Sequence, residues 1–246
     1  MASVLVAGCG DIGSGVAEAL AIAGHKGFGL RRTGTEFPEG VIGITGDLVQ
    51  CADDSLPEVD LLYLIMTPAG RTEAQYQAAY LDTAQRLVDR YQNSIMPPKV
   101  FFVSSTSVFG QNAGEWINDS VTPVPVSATA KVLHQAECLL QQSLPSCAVR
   151  FSGIYGPGRY RLLQQVKSGQ ALGANSWTNR IHRDDCVRVL VHLGQKHLNG
   201  HTLLPSYIAT DCTPVSQWEL KLWLAVKLGV ELNFSEGLSL ADYPPK

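Results

Sequence analysis

Short apolar runs recur through the first part of the chain, at residues 4–7, 28–30, 41–44, 61–66, 100–103 and 148–151. They do not alternate with polar residues. That is the pattern of strands buried on both faces of a parallel sheet. Between them, apolar residues recur every three or four positions. Ile12, Val16, Leu20 and Ala23 form one stripe, and Tyr76, Tyr80, Leu87 and Val88, within residues 71–91, form a second. Val132, Leu133, Ala136, Leu139 and Leu140 form a third. This is helical spacing. Strand and helix alternate as far as Phe151, which predicts an α/β fold with a Rossmann-type doubly wound parallel sheet.

Beyond Phe151 the pattern changes. Tyr155-Gly156-Pro157-Gly158 reads as a turn, residues 159–167 as a helix and residues 177–182 as a short strand. Asp184 or Asp185 is placed to cap a helix carrying Val187, Leu190 and Val191. Ser216 is placed to cap a last helix whose apolar side holds Leu220, Trp223, Leu224 and Leu228, and the residues after Gly237 read as a loose tail. There is no internal repeat and no flexible linker. The expected organisation is one domain over residues 1–246. Residues 1–151 form the doubly wound part, and residues 152–246 form mainly a small C-terminal cap with some return to the sheet.

Composition narrows the function. Of 246 residues, 45% are apolar and 17% charged, an ordinary globular balance that excludes wholesale disorder. Nineteen basic against 22 acidic residues give a net charge of -3, so no basic surplus points to nucleic acid or an anionic membrane. The six cysteines form no CxxC pair and read as reduced thiols. His197 and His201 are separated by Asn199-Gly200, which breaks a helical metal pair, so no metal site is expected. No apolar run approaches the ~20 residues of a spanning helix, and no basic segment precedes an apolar stretch at the N-terminus. A cytoplasmic protein is expected.

The strongest motif is Gly8-Cys9-Gly10-Asp11-Ile12-Gly13. It follows a predicted strand and opens a predicted helix, the context that makes GxGxxG a dinucleotide fingerprint. Gly8 permits the tight turn, Gly10 lets the backbone approach a pyrophosphate, and Gly13 lets helix and strand pack closely. The amides of Asp11 and Ile12 and the helix dipole then face the phosphates. The second strand ends at Leu30-Arg31-Arg32, where an NAD site usually carries an acidic residue about 20 residues past the glycines. Two arginines suit a 2′-phosphate, which favours NADP over NAD, unless both are solvated surface residues. After the third strand, Asp47 can accept from an adenine amino group while Leu48 packs on the ring. Helix capping by Asp47 is the rival reading.

Taken together, these features resemble the extended short-chain dehydrogenase/reductases, in the NAD(P)-dependent epimerase/dehydratase family. Ala7 stands where the family's usual GxxGxxG has its first glycine. Asp47-Leu48 is similar to the adenine pair. Phe102-Val-Ser-Ser105-Thr-Ser-Val108-Phe-Gly110 resembles the "SSxxVYG" strand end, with Ser105 as the catalytic serine by its spacing from Val108. Arg150-Phe-Ser-Gly-Ile-Tyr155-Gly156-Pro157 resembles the "RxxxxYGP" segment passing the nicotinamide, and Asn179-Arg180-Ile-His182-Arg-Asp184-Asp185 the "RxxHVDD" segment near the substrate. The resemblance thereby implies cofactor contacts by Thr67 and Tyr155, substrate contacts by Arg180 and His182, and a homodimer through residues 71–91 and 131–144.

One departure outweighs these matches. The family's proton transfer uses a Tyr-xxx-Lys pair on the helix after the serine, and residues 122–137 contain no tyrosine. Aligned on Lys131, Ser127 takes the tyrosine position. Aligned on Glu137, Thr129 takes it and Leu133 takes the lysine position. Ser105, Thr129 and Lys131 are therefore the catalytic candidates. Lys131 is either at the cofactor ribose or in solvent, and Tyr155 and His134 are alternative acids by residue type alone. Two functions remain open. The first is an oxidoreductase, epimerase or dehydratase acting on a sugar-like or other hydroxylated small metabolite through a modified site. The second is a non-catalytic NADP(H)-binding sensor or partner-binding protein.

Overall fold

Apolar runs buried on both faces form the central strands of the sheet. The computed structural model describes residues 1–34, 36–235 and 237. In its first part the chain runs β1 (Ser3–Ala7), α1 (Asp11–Ile22), β2 (Lys26–Arg31), β3 (Val41–Thr45) and β4 (Leu61–Leu64). It continues through α2 (Glu73–Tyr76), α3 (Asp82–Tyr91), β5 (Lys99–Ser105), α4 (Ala128–Ser143) and β6 (Ser146–Phe151). Then follow β7 (Gly153–Tyr155), α5 (Arg161–Lys167), β8 (Trp177–Thr178), β9 (Arg180–His182), α6 (Arg183–Leu198), β10 (Ser206–Ala209), β11 (Val215–Ser216) and α7 (Gln217–Leu228).

Seven strands form one sheet in the order β10-β6-β5-β4-β1-β2-β3, with every neighbouring pair parallel. The chain reverses its direction of travel across the sheet between β1 and β4, the switch point of a doubly wound fold. Alternate residues serve opposite faces. Leu5, Ala7, Leu62, Leu64, Val100 and Phe102 share a core with Ala84, Leu87, Val88 and Tyr91 of α3 and Leu133, Ala136 and Leu140 of α4. On the other face Tyr63 donates to the Leu190 carbonyl of α6, and a Cβ on Gly194 would fall 1.9 Å from the Tyr63 hydroxyl. The glycine lets that helix sit against the sheet.

Several local expectations change. β3 is an edge strand with Ile42 49% exposed, so its apolar run is covered less than a central strand's. The helix expected over 71–91 starts at Glu73 and carries a π-helical turn over Gln77–Leu81. The strand expected over 177–182 divides at Asn179 into β8, which pairs antiparallel with β11, and β9, which pairs parallel with β7. The helix expected to start at Asp184 or Asp185 begins earlier. The helix already includes Arg183, and both aspartates lie in its first turn, where the helix dipole favours them. Ser216 does cap α7, in a capping box with Glu219.

By internal contacts the chain divides into two compact units. The first holds residues 1–110, 117–151 and 184–209, and so the whole seven-stranded sheet. Among the described residues, the second holds 111–116, 152–183, 210–235 and 237. Within the second, the Trp218 ring meets Phe234 edge-on at 4.8 Å and donates to the Gly173 carbonyl at 2.7 Å. The expected tail after Gly237 lies outside the described residues.

Candidate cofactor site

The site grows from the C-terminal ends of four neighbouring strands in the first unit. β1 delivers the glycine turn. The N–H groups of Gly8 and Cys9 both donate to the Leu30 carbonyl, at 2.9 and 2.8 Å, which ties the turn to β2. Gly8 has φ +95°, and a Cβ there would fall 2.1 Å from the Ile65 carbonyl oxygen, so only glycine fits. A Cβ on Gly13 would fall 2.2 Å from the Gly8 carbonyl oxygen, which accounts for the third glycine. A Cβ on Gly10 meets nothing within 4 Å. Gly10 thus stands exposed at the N-cap of α1 with open space before it.

Gly8 and Gly10 line a cavity of about 430 Å³. Arg31 and Arg32 from the end of β2, Asp47 and Leu48 after β3, and Thr67 after β4 line it too. These predicted residues therefore come together. Of the other loop residues, Ile12 and Gly13 are buried and Asp11 lies in the first turn of α1. Asp47 caps no helix: its Oδ1 accepts from the Val49 N–H at 2.9 Å and closes a turn.

The residues present fit a dinucleotide. There is a cradle that a Cβ on Gly8 or Gly13 would fill, an open face at Gly10, and the positive end of a helix dipole behind it. Two guanidinium groups stand at the β2 end, where a carboxylate would repel a phosphate. Among the described residues, no cluster of three or more His, Cys, Asp or Glu side chains is placed to hold a metal, and no helix is long and apolar enough to cross a membrane.

Sequence reasoning missed one wall of the cavity. Gln75, Ala78, Ala79, Asp82 and Thr83 line it from α2, the π-helical turn and α3. Their three-to-four spacing is a signal in the sequence: a face of small and polar residues beside the apolar stripe. The π-turn adds a residue to the helix in the middle of that wall, a placement frequent at functional sites.

The catalytic candidates lie elsewhere in the first unit and are not among the lining residues. Ser105 ends β5 and its Oγ accepts from the Ser107 N–H at 3.1 Å. Ser127 is the N-cap of α4, accepting from the Ala130 N–H, and its Oγ lies 3.2 Å from the Thr129 Oγ1. The rotational phase of α4 is fixed by Glu137, which is buried. It accepts from Arg150 Nε at 3.1 Å and Nη2 at 2.8 Å, and from the Ser104 hydroxyl. Leu133 is buried on the same side, whereas Lys131 is exposed. His134 Nδ1 lies 3.2 Å from Glu137 Oε2. Its Nε2 lies 3.7 Å from the Cys138 Sγ, whose pKa is raised by burial and by the Glu137 charge.

The remaining candidates belong to the second unit. Register places Tyr155 of β7 opposite His182 of β9, with the rings edge-on at 5.2 Å. Burial lowers the Arg180 pKa, opposed by the nearby Asp211 charge.

No family model matches the chain. Protein YeeZ of Escherichia coli strain K12 is 28% identical over 213 residues, which is 82% of this chain and 76% of that protein. A solved Methylobacillus flagellatus protein, described as an NAD-dependent epimerase/dehydratase, is 31% identical with a TM-score of 0.77. The match covers 99% of this chain and 86% of that one. UDP-glucuronic acid 4-epimerase from Bacillus cereus, solved in complex with NAD, shares the fold at a TM-score of 0.76. It is 19% identical over 95% of this chain and 86% of its own.

Proposed function

The chain belongs to the NAD(P)-dependent epimerase/dehydratase family, and we propose that it binds NADP(H) and acts on a sugar-like or other hydroxylated small metabolite. The observation that carries this reading is the cavity at the sheet's switch point, lined by the glycine turn and by Arg31 and Arg32. In this reading the backbone at Gly8, Gly10 and Asp11–Ile12–Gly13 receives the pyrophosphate. Asp47 and Leu48 receive the adenine, and the two arginines receive the 2′-phosphate. Thr67 and Tyr155 contact the rest of the cofactor. Bound NADP(H) supplies hydride transfer. Ser105 orients a substrate oxygen, and Arg180 and His182 bind the substrate. A homodimer through α2, α3 and α4 belongs to the same proposal.

A second reading, NADP(H) binding without turnover, is favoured by one feature. The stretch 122–137 has no tyrosine, Ser127 caps the helix, and Leu133 is buried in the core. General acid–base help is worth about 10²–10⁴-fold, so its loss matters. Titration with NADPH and NADH, followed by assays on UDP- and dTDP-sugars for the native chain and Ser105→Ala, separates the readings. Tighter NADPH binding, slow turnover and a further loss of at least about tenfold in Ser105→Ala are expected. Tight cofactor binding with no turnover on any hydroxylated substrate would favour the second reading. Turnover unchanged by the alanine would remove Ser105 from the chemistry.

A further inference from the structure

β2 and β3 pair with Gly29 opposite Gly43, two positions without side chains lying side by side. The Phe37 ring, from the loop joining these strands, fills the gap. A Cβ on Gly43 would fall 2.2 Å from Phe37 Cδ2, and one on Gly29 would fall 3.1 Å from Cδ1. The same Cβ on Gly29 would fall 2.8 Å from the Sγ of Cys9, in the glycine turn. The ring is therefore wedged where the glycine turn meets the sheet edge.

Phe37 carries the Arg31 guanidinium on its face, 4.7 Å from the ring centroid. Nη2 of that guanidinium donates to the Glu36 carbonyl. Gly34, at φ +86°, passes so close that a Cβ there would fall 2.9 Å from Nη2. The loop is tied back to β3 by Thr45, whose hydroxyl donates to the Gly34 carbonyl at 3.2 Å. Arg31 Nε is buried and, among the described residues, has no hydrogen-bond partner. Arg32, beside it, is exposed. One arginine is thus clamped by its own loop while the other is exposed, and both line the cavity.

We infer that Phe37 is a positioning residue for cofactor selection, holding Arg31 as the fixed arm of a two-arginine seat for the 2′-phosphate. The inference rests on the reading of Arg31 and Arg32 given under Proposed function. An arginine loose in solvent gives up rotamer freedom when it grips a phosphate. One already stacked on a ring and bonded at Nη2 has less to give up. Glycine at both 29 and 43 is what makes room for the ring.

The test measures dissociation constants of NADPH and NADH, and of adenosine 2′,5′-bisphosphate and 5′-AMP, for the full chain. It compares native protein with Arg31→Ala, Phe37→Leu and Phe37→Tyr. Phe37→Leu should weaken the two 2′-phosphorylated ligands by about three- to thirtyfold, the span of a lost cation–π contact, and leave NADH and 5′-AMP unchanged. Phe37→Tyr, which keeps the π face, should retain the native ratio. If the native chain prefers NADPH and Arg31→Ala loses that preference while Phe37→Leu keeps it, the inference falls and the reading of the arginines stands. Equal weakening of all four ligands by Phe37→Leu also overturns it, since that marks a general structural role. Equal native affinities for NADPH and NADH would bring down the reading of the arginines and the inference together. Should Phe37→Leu fail to fold, Gly43→Ala displaces the ring without removing it, and an unchanged ratio there overturns the inference as well.

Discussion

Single residues decide what the cavity can hold, and Gly10 does so most directly. It has φ -99°, outside the left-handed region, and a side chain there meets nothing within 4 Å. Gly10→Val should therefore leave the fold in place while its branches occupy the space before the α1 N-terminus. Cofactor fluorescence should show binding lost, with the circular dichroism spectrum native. Native-like affinity in a folded Gly10→Val would mean the turn does not face the pyrophosphate. The glycine turn was legible in sequence because its requirement is local: a strand, a positive φ and a close helix leave a fixed spacing. Phe37 was not legible. It lies in a loop without periodicity, and its partners Gly29 and Gly43 become neighbours only through strand register.

At the scale of elements, α4 shows how a helix can keep its place in a fold while its chemistry changes. Its phase is locked by Glu137 against Arg150 of β6, a buried pair in which both partners are at most 5% exposed in their side chains. Removing one partner of such a pair leaves the other charge buried and uncompensated. Glu137→Ala should cost about 3–5 kcal/mol in urea unfolding, whereas Glu137→Met with Arg150→Met should recover much of that loss. A cost below about 1 kcal/mol for Glu137→Ala would be the range of an exposed pair and would remove the clamp. The sequence marked the stripe of α4 but left two alignments of its catalytic stretch open, because spacing alone does not say which polar residue points inward. The same gap explains α6. Adjacent aspartates mark a first turn without fixing its first residue, which is Arg183. The division of 177–182 was equally hidden, since β8 and β9 pair with partners distant in sequence.

For the whole molecule, the doubly wound order was legible because central parallel strands need continuous apolar runs. The edge was less so, with β10 short and only partly buried. The buried core that results has a consequence for stability at high pH. Burial pushes the Cys147 thiol up from 9.0 to about 11, against smaller opposing effects of Lys99 and Arg150. Burial likewise pushes Tyr91 up from 10.0 to about 12. Both folded pKa values are raised, so between the unfolded and folded values the native state holds protons that the unfolded chain has released. Stability must then fall as pH rises. The contribution of Cys147 is whole below about pH 9 and lost by about 11, and that of Tyr91 follows from about 10 to 12. For Cys147 the loss is about 2–3 kcal/mol. Lys99, whose pKa burial lowers, acts in the opposite sense, because its native form sheds its proton first. Urea unfolding free energies measured from pH 7 to 11 should decline most steeply above 9 in the native chain. Cys147→Ala should begin lower at pH 7 through lost packing, yet decline less between 9 and 11. Parallel curves for the two proteins across that interval would show that the thiol titrates alike in both states, and the alkaline loss would then belong to the tyrosines.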